Sequence, residues 1–308
     1  MPDCRARRSW RSVRVVLMPL AVGAAAWILT TALSATGEVR QQPDTTRPAV
    51  GQVAAPTPTA KVTLSDQEIE QFLLKAKVLK TKSASKGITG TSHATMSDGT
   101  LTHDASIQTI DEEQARFESA IGTEFNFKDS WMFNVAGYRL DRLIGLNMVP
   151  VSVPRRSGTK MASFTWWIDD VMMDEKERLS RKVDSSDTDF WNEQVRLVRV
   201  FDQLIYNVDR NLTNLLITKD WRVWAIDHSR AFRRHHKLAS PDNLTFCDRQ
   251  ILERMKALDR PTLDKAMRDV LTNYEIEGIL ARRDAIVTLF ASKGPSALFD
   301  RRAVPQKP

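Results

Sequence analysis

Cysteine is almost absent from this chain. Cys4 and Cys247 are the only two in 308 residues, and they lie on opposite sides of the apolar run at residues 15–35. An intramolecular disulfide in an exported chain is therefore disfavoured, and Cys247 reads as a buried, inert thiol rather than a nucleophile. No CxxC zinc pair occurs, and His228, His235, His236 and Cys247 match no zinc spacing. The glycine-rich GxxxxGK[S/T] loop is missing too, which removes the P-loop route to nucleotide binding. Basic excess is also lacking in the body of the chain. The formal charge is +7, but Arg5, Arg7, Arg8, Arg11 and Arg14 stand with only Asp3 in the first 35 residues, so the rest carries +3. No basic face remains to be explained, and nucleic acid is excluded as a partner.

What is present begins with those five arginines and the apolar run at 15–35, broken only by Pro19, Gly23 and small hydroxyl residues. Its length spans a bilayer, with the basic flank left in the cytoplasm. The reading leans to an uncleaved anchor, although the small residues at 32–35 also fit a signal-peptidase site, which would release a secreted protein. Either way the bulk of the chain is extracytoplasmic: periplasmic, extracellular or in a secretory lumen. Residues 36–62 carry four of the 13 prolines and almost no large apolar side chain, so they form an extended tether.

A hydrophobic content of 42% is ordinary for a globular core. Ser65 and Glu68 form a capping box that opens a helix running to about residue 81. Strands follow from residue 82, with Asp98 and Gly99 as a hairpin turn. A helix over 130–144 carries an apolar stripe, and two strands flank the turn at Ser157 and Gly158. Trp166 and Trp167 end the second strand and are assigned to the core, with a pocket wall as the alternative. Residues 169–188, charged and containing Met172 and Met173, suit a mobile connection. A helix from about 187 to 206 buries Trp191, Val195, Val198, Phe201 and Ile205 on one face. Helical periodicity returns at 249–258 and 261–292, Gly294 stops it, and the tail at 295–308 should fray.

The stretch that organises the rest is residues 200–232. Asp209 and Asn214 stand five positions apart behind the end of the apolar-faced helix, and two short apolar strands at 215–218 and 222–226 then fold back to return Asp227 towards Asn214. Oxygen-bearing side chains in one small volume suit a magnesium ion that carries phosphates, because that ion is usually held by one or two carboxylates plus the nucleotide. Each residue also has a plainer reading, as a capped loop or a strand end with local hydrogen bonds.

The run NVDRNLTN (residues 207–214) resembles the D-R-x-x-x-N catalytic loop of phosphoinositide lipid kinases and HipA-type kinases. IDHSRAF (226–232) resembles the D-x-x-R-x-F segment of secretory-pathway kinases of the Golgi casein kinase type. The resemblance implies an α+β, two-lobed protein-kinase-like fold, with a leading helix and β-rich small lobe over 63–168 and a helical large lobe over 169–293. It implies Asp209 as catalytic base, Asn214 and Asp227 as ligands of Mg2+ or Mn2+, ATP as the nucleotide, and a hydroxyl-bearing acceptor as partner. Gly87 and Gly90 would let backbone cover the phosphates, though ordinary turns use glycine as well. Two departures fit atypical kinases: Val208 stands where ordinary kinases have histidine, and Asp227 is followed by His228 and Ser229.

A third departure bears on activity. Gln108 and Asn134 occupy the positions where active kinases carry a phosphate-binding lysine and its glutamate partner, which leaves a neutral amide pair in the cofactor-binding site. Lys86, Arg116 or Lys128 are the cations that could compensate. Without one, the alternative is a weak or inactive pseudokinase acting as a membrane-tethered binding module. Arg230 reads as a structural clamp, and the basic run Arg233, Arg234, His235 and His236 either receives an acidic substrate or is a solvated face.

Overall fold

The computed structural model describes residues 64–83, 91–119, 122–208 and 210–302. The expectations for residues 15–35 and 36–62, for Lys86, Gly87 and Gly90, and for Asp209 lie outside the described residues. Among the described residues no helix is long and apolar enough to cross a membrane.

Helix α1 (Asp66–Lys75) starts on the expected capping box: the Glu68 N–H donates to Ser65 Oγ, and the Ser65 N–H donates back to the Glu68 carboxylate at 2.7 Å. It stops six residues earlier than its periodicity suggested. Ala76 turns extended and β1 (Lys77–Ser83) pairs with β2 (Thr91–Ser97) instead. Leu79, an apolar residue inside the expected span of the helix, is exposed on that strand. The turn after β2 leads into β3 (Thr102–Gln108), and there Asp98 Oδ1 accepts the N–H groups of Thr100 and Leu101 while Gly99 takes φ +95.

Next comes a long hairpin that the sequence reading did not register, β4 (Asp111–Ser119) with β5 (Gly122–Ser130). Residues 111–116 are all exposed, so they show no alternation of apolar and polar positions. Helix α2 (Met132–Ile144) ends at Gly145, whose φ of 69 supplies the left-handed cap. Strands β6 (Ser152–Ser157) and β7 (Lys160–Trp166) complete an antiparallel five-stranded sheet in the order β1-β2-β3-β7-β6, with α1 and α2 packed on β6 and β7.

Residues 169–188 are ordered rather than mobile. β8 (Val171–Asp174) buries Met173 and pairs with β9 (Leu215–Thr218). Asp174 then caps α3 (Glu175–Arg181), whose Arg178 grips Glu175 and Asp184 and lies over Trp191. Charged composition suggests mobility, but the charges are paired: Arg181 with Glu177 inside the segment, and Asp169 with His103, Asp170 with Lys219 and Asp187 with Arg302 outside it. Asp187 caps α4 (Thr188–Ile205), which buries Leu197, Val198, Phe201, Leu204 and Ile205. β9 and β10 (Val223–Ala225) form the expected hairpin.

The helical half continues with β11 (Cys247–Asp248), α5 (Arg249–Ala257), α6 (Arg260–Met267) and α7 (Asn273–Lys293). Burial pushes the Cys247 thiol up to about 12, consistent with an inert role. Of the tail expected to fray, residues 303–308 lie outside the described residues, while 295–302 are held in place. β12 (Leu298–Phe299) pairs in parallel with β11, and Arg301 donates to the carbonyls of Gly145 and Leu146. These contacts join Arg301 to the cap of α2, a long-range tether that composition alone does not report.

Candidate active site

Helix α4 delivers the loop. Its cap Tyr206 is left-handed (φ 54), and the Asn207 N–H returns to the Asp202 carbonyl at 2.7 Å. The buried Asp202 carboxylate then accepts Arg210 through two bonds, from Nη2 at 2.6 Å and Nε at 3.1 Å. Arg210 Nη1 continues to the Ile226 carbonyl at 2.9 Å. One guanidinium thus holds the loop root to the strand that precedes Asp227. A bidentate, largely desolvated pair of this kind is geometrically specific. Arg210 was not singled out beforehand, though the D-R pair contained it.

A 3-10 turn over Leu212–Asn214 follows, with Asn211 Oδ1 accepting the Thr213 N–H at 3.1 Å. Asn214 then leads into β9, and the hairpin closes on it: the Ile226 N–H donates to the Asn214 carbonyl at 3.0 Å. This backbone bond brings the expected metal residues Asn214 and Asp227 to one end of the hairpin. Both line a cavity of about 600 Å3. Asp227 itself sits at φ 53, a conformation that costs a non-glycine residue energy and concentrates at functional positions.

Gln108 and Asn134 meet as the resemblance implied. The His228 N–H donates to Asn134 Oδ1 at 2.8 Å, and Asn134 Nδ2 donates to Gln108 Oε1 and, at 3.2 Å, to Ser163 Oγ. Gln108 Nε2 is thereby turned towards Asp227 Oδ1, at 3.4 Å. Each amide's oxygen and nitrogen are assigned by its neighbour, so the relay has one orientation. Its effect is to present a neutral donor to Asp227.

Of the cations that could have supplied charge, Lys128 pairs with the buried Glu275 at 3.1 Å and Arg116 with Glu118 at 2.5 Å. The basic run after Asp227 is likewise engaged: Arg233 faces Glu124, Arg234 faces Glu113, and His235 stacks on Tyr206. Arg230 spreads over Phe127 and Phe117, 3.7 Å from Asp129, which ties the loop to the β4 and β5 hairpin. Burial raises the Asp129 carboxyl above its ordinary range, and the Asp227 charge adds to that. His228 is 1% exposed, and burial, with help from Arg210, holds its imidazole neutral well below the ordinary range.

The opposite wall corrects the assignment of Trp167 to the core, whereas Trp166 does pack against the core, edge-on to Phe72. Both line the cavity, Trp167 at 41% exposure. His103 stacks on Trp166 at 3.5 Å and His93 leans on Trp167 at 4.3 Å. The Trp166 N–H is bound to the Val151 carbonyl and the Trp167 N–H to the Asp104 carbonyl. Ile168 follows them at the same wall.

The donor set suits a hard cation with a phosphate-bearing ligand. Asn214 offers an amide oxygen and Asp227 a carboxylate, and among the described residues no group of three His, Cys, Asp or Glu side chains forms a self-sufficient metal cage. An apolar, aromatic wall facing a few convergent polar groups is also what a nucleotide-sized cavity requires.

No family model and no curated protein matches the sequence. Solved structures do match. The structure of hydra Fam20 with sugar aligns with 80% of this chain and 95% of its own, at TM-score 0.57 and 14% identity. Golgi casein kinase with Mn/ADP bound aligns with 79% of this chain and 80% of its own, at TM-score 0.50 and 14% identity. Another crystal structure of the Golgi casein kinase gives 79%, 81%, TM-score 0.51 and 14% identity. The chain therefore has the atypical kinase fold represented by these structures.

Proposed function

We propose that this protein is a phosphotransferase of the atypical kinase fold, which binds ATP with Mg2+ or Mn2+ in the cavity beside Asp227 and transfers phosphoryl to a hydroxyl acceptor. The observation that carries the reading is the closure of the hairpin on Asn214, which sets Asn214 and Asp227 on one cavity. Asn214 and Asp227 would hold the cation, and Asp209 would orient the acceptor hydroxyl and take its proton. Backbone at Gly87 and Gly90 would cover the phosphates. A bound cation supplies charge neutralisation of the transferring phosphates. Trp166, Trp167 and Ile168 would bound the base, and Gln108 and Asn134 would hold Asp227 in register. Residues 63–168 and 169–293 would act as the two lobes, carried on an anchor at 15–35 that leaves them outside the cytoplasm.

The neutral pair of Gln108 and Asn134 favours a second reading, a pseudokinase that binds a ligand or partner without turnover. It forgoes a full positive charge where the phosphates would lie, and electrostatic stabilisation is a large part of phosphoryl-transfer catalysis. Thermal melting of the purified chain with and without ATP and manganese separates the two. A ligand bound by the native state alone raises the midpoint in proportion to occupancy. A shift with ADP formation supports the transferase, and a shift without it supports the binding module. No shift at millimolar nucleotide counts against both catalysis and nucleotide recognition, and leaves only a module that holds a partner without ATP.

A further inference from the structure

We infer that Arg282 is a positioning residue for the proposed phosphoryl transfer: its buried guanidinium fixes the loop that follows α4 against the segment that follows Asp227. The inference rests on the kinase reading, but its structural half can be measured without it.

Arg282 lies on α7 and is completely buried. Its partners are backbone carbonyls, not a carboxylate. Nε donates to the Leu204 carbonyl at 2.8 Å, and Nη1 donates to the carbonyls of Arg233, at 2.9 Å, and His235. Leu204 belongs to the last turn of α4, immediately before the loop at 207–214. Arg233 and His235 belong to the segment leading away from Asp227. A buried charge without a counter-ion is costly, so an apolar side chain would serve mere packing better. What a guanidinium adds is a rigid, planar set of donors that reaches both segments at once, which an ammonium cannot reproduce.

The surrounding backbone is built for this fork. Gly278 precedes Arg282 by one helical turn on the same face of α7, and a Cβ there would stand 2.8 Å from Arg282 Nη1 and 3.2 Å from the Arg233 carbonyl. The glycine keeps that space open. The two clamped segments also carry left-handed residues, Tyr206 at φ 54 and Phe232 at φ 55, and the Phe232 N–H is stitched to the Ile205 carbonyl at 2.6 Å. Such conformations persist only where their surroundings over-determine them. The Arg282 side chain lies over the Tyr206 ring and bonds carbonyls on both sides of the stitch. It thereby sets the spacing between the end of α4 and the segment that follows Asp227. The aromatic wall at Trp166 and Ile168 lies on other elements.

The test compares Arg282→Lys, Arg282→Met and Gly278→Ala in the full chain, with Ile286→Ala on α7 as a destabilising control. Hydrogen exchange should rise together in peptides covering 204–208 and 230–236, by about tenfold, while the other amides of α7 keep their protection. The ATP and manganese melting shift should persist. The turnover number for ADP formation should fall by about ten- to a hundredfold, with KM for ATP unchanged. Loosening of only one segment, or of neither, overturns the inference. So does the same exchange and turnover pattern in Ile286→Ala, which would reduce Arg282 to a packing role. If the unsubstituted chain shows neither melting shift nor ADP formation, the kinase reading fails, while the exchange data still decide whether Arg282 joins the two segments.

Discussion

Asn134 Oδ1 accepts the backbone N–H of His228 at 2.8 Å, and this contact sets the orientation of the two carboxamides between α2 and Asp227. With its oxygen so occupied, Asn134 must present Nδ2 to Gln108, and Gln108 must present its own nitrogen to Asp227. A charged lysine and glutamate pair would bring opposite charges to the same location. Here two carboxamides perform the alignment, and the electrostatic consequence is an Asp227 carboxylate with a neutral donor beside it.

Replacing Asn134 with alanine leaves the buried His228 N–H without its acceptor. The expected loss of stability is about 1–3 kcal/mol, the usual penalty for an unsatisfied buried donor. Chemical denaturation should record it as a lower midpoint with an unchanged slope. The midpoint shift with manganese and ATP should shrink as Asp227 loses its alignment.

Asp227→Asn should retain the fold and lose the metal-dependent part of the nucleotide shift, because the carboxylate charge is removed at the hairpin end. Asp209→Asn should retain that shift and lose turnover. Melting curves with ATP, with and without manganese, alongside ADP formation, separate the two roles. Full activity in the Asp209 variant would end its assignment as base.

Gln108→Lys places a cation beside Asp227, with no carboxylate at position 134 to balance it. The ammonium then competes with the metal ion. Manganese titration of the melting midpoint should move to higher concentration by about a factor of ten, the weight of one partly screened charged neighbour. An unchanged titration would mean that Gln108 does not face the cation.

His228 gives the protein a pH dependence of defined sign. Burial, aided by Arg210, depresses its folded-state pKa well below 6.5, so the native protein keeps it neutral. As pH falls through the ordinary histidine range, the unfolded chain takes up a proton that the native state refuses, and stability declines from there towards the folded pKa. The slope from this one group cannot exceed about 1.4 kcal/mol per pH unit. Stability measured from pH 8 to pH 5 should fall, and His228→Phe should flatten that part of the curve.

The elements that carry the site could be read from residues 187–232, because the signals there are local. The apolar face of α4, the cap at Asp187 and the paired strands of β9 and β10 are patterns of period 3.6 and period 2 within a few turns of chain. The pairing of Gln108 with Asn134 came from the resemblance to kinases, not from periodicity. Where the reading went wrong, the local pattern was silent or misleading. Leu79 fell inside the expected span of a helix, the exposed strand β4 offered no alternation, and the charges at 169–188 concealed an ordered strand and helix.

By itself the sequence determined the order of the chemical groups, with Asp209, Asn214 and Asp227 spaced so that a helix end, a turn and a hairpin could bring them together. Only the tertiary structure decided which partners those groups and their supports would meet. Arg282 reaches Leu204 across 78 positions and Gln108 reaches Asp227 across 119. Side-chain periodicity encodes which face of an element is buried. The direction and pairing of a buried donor depend on the acceptor that packing brings opposite it, and that acceptor lies far away along the chain.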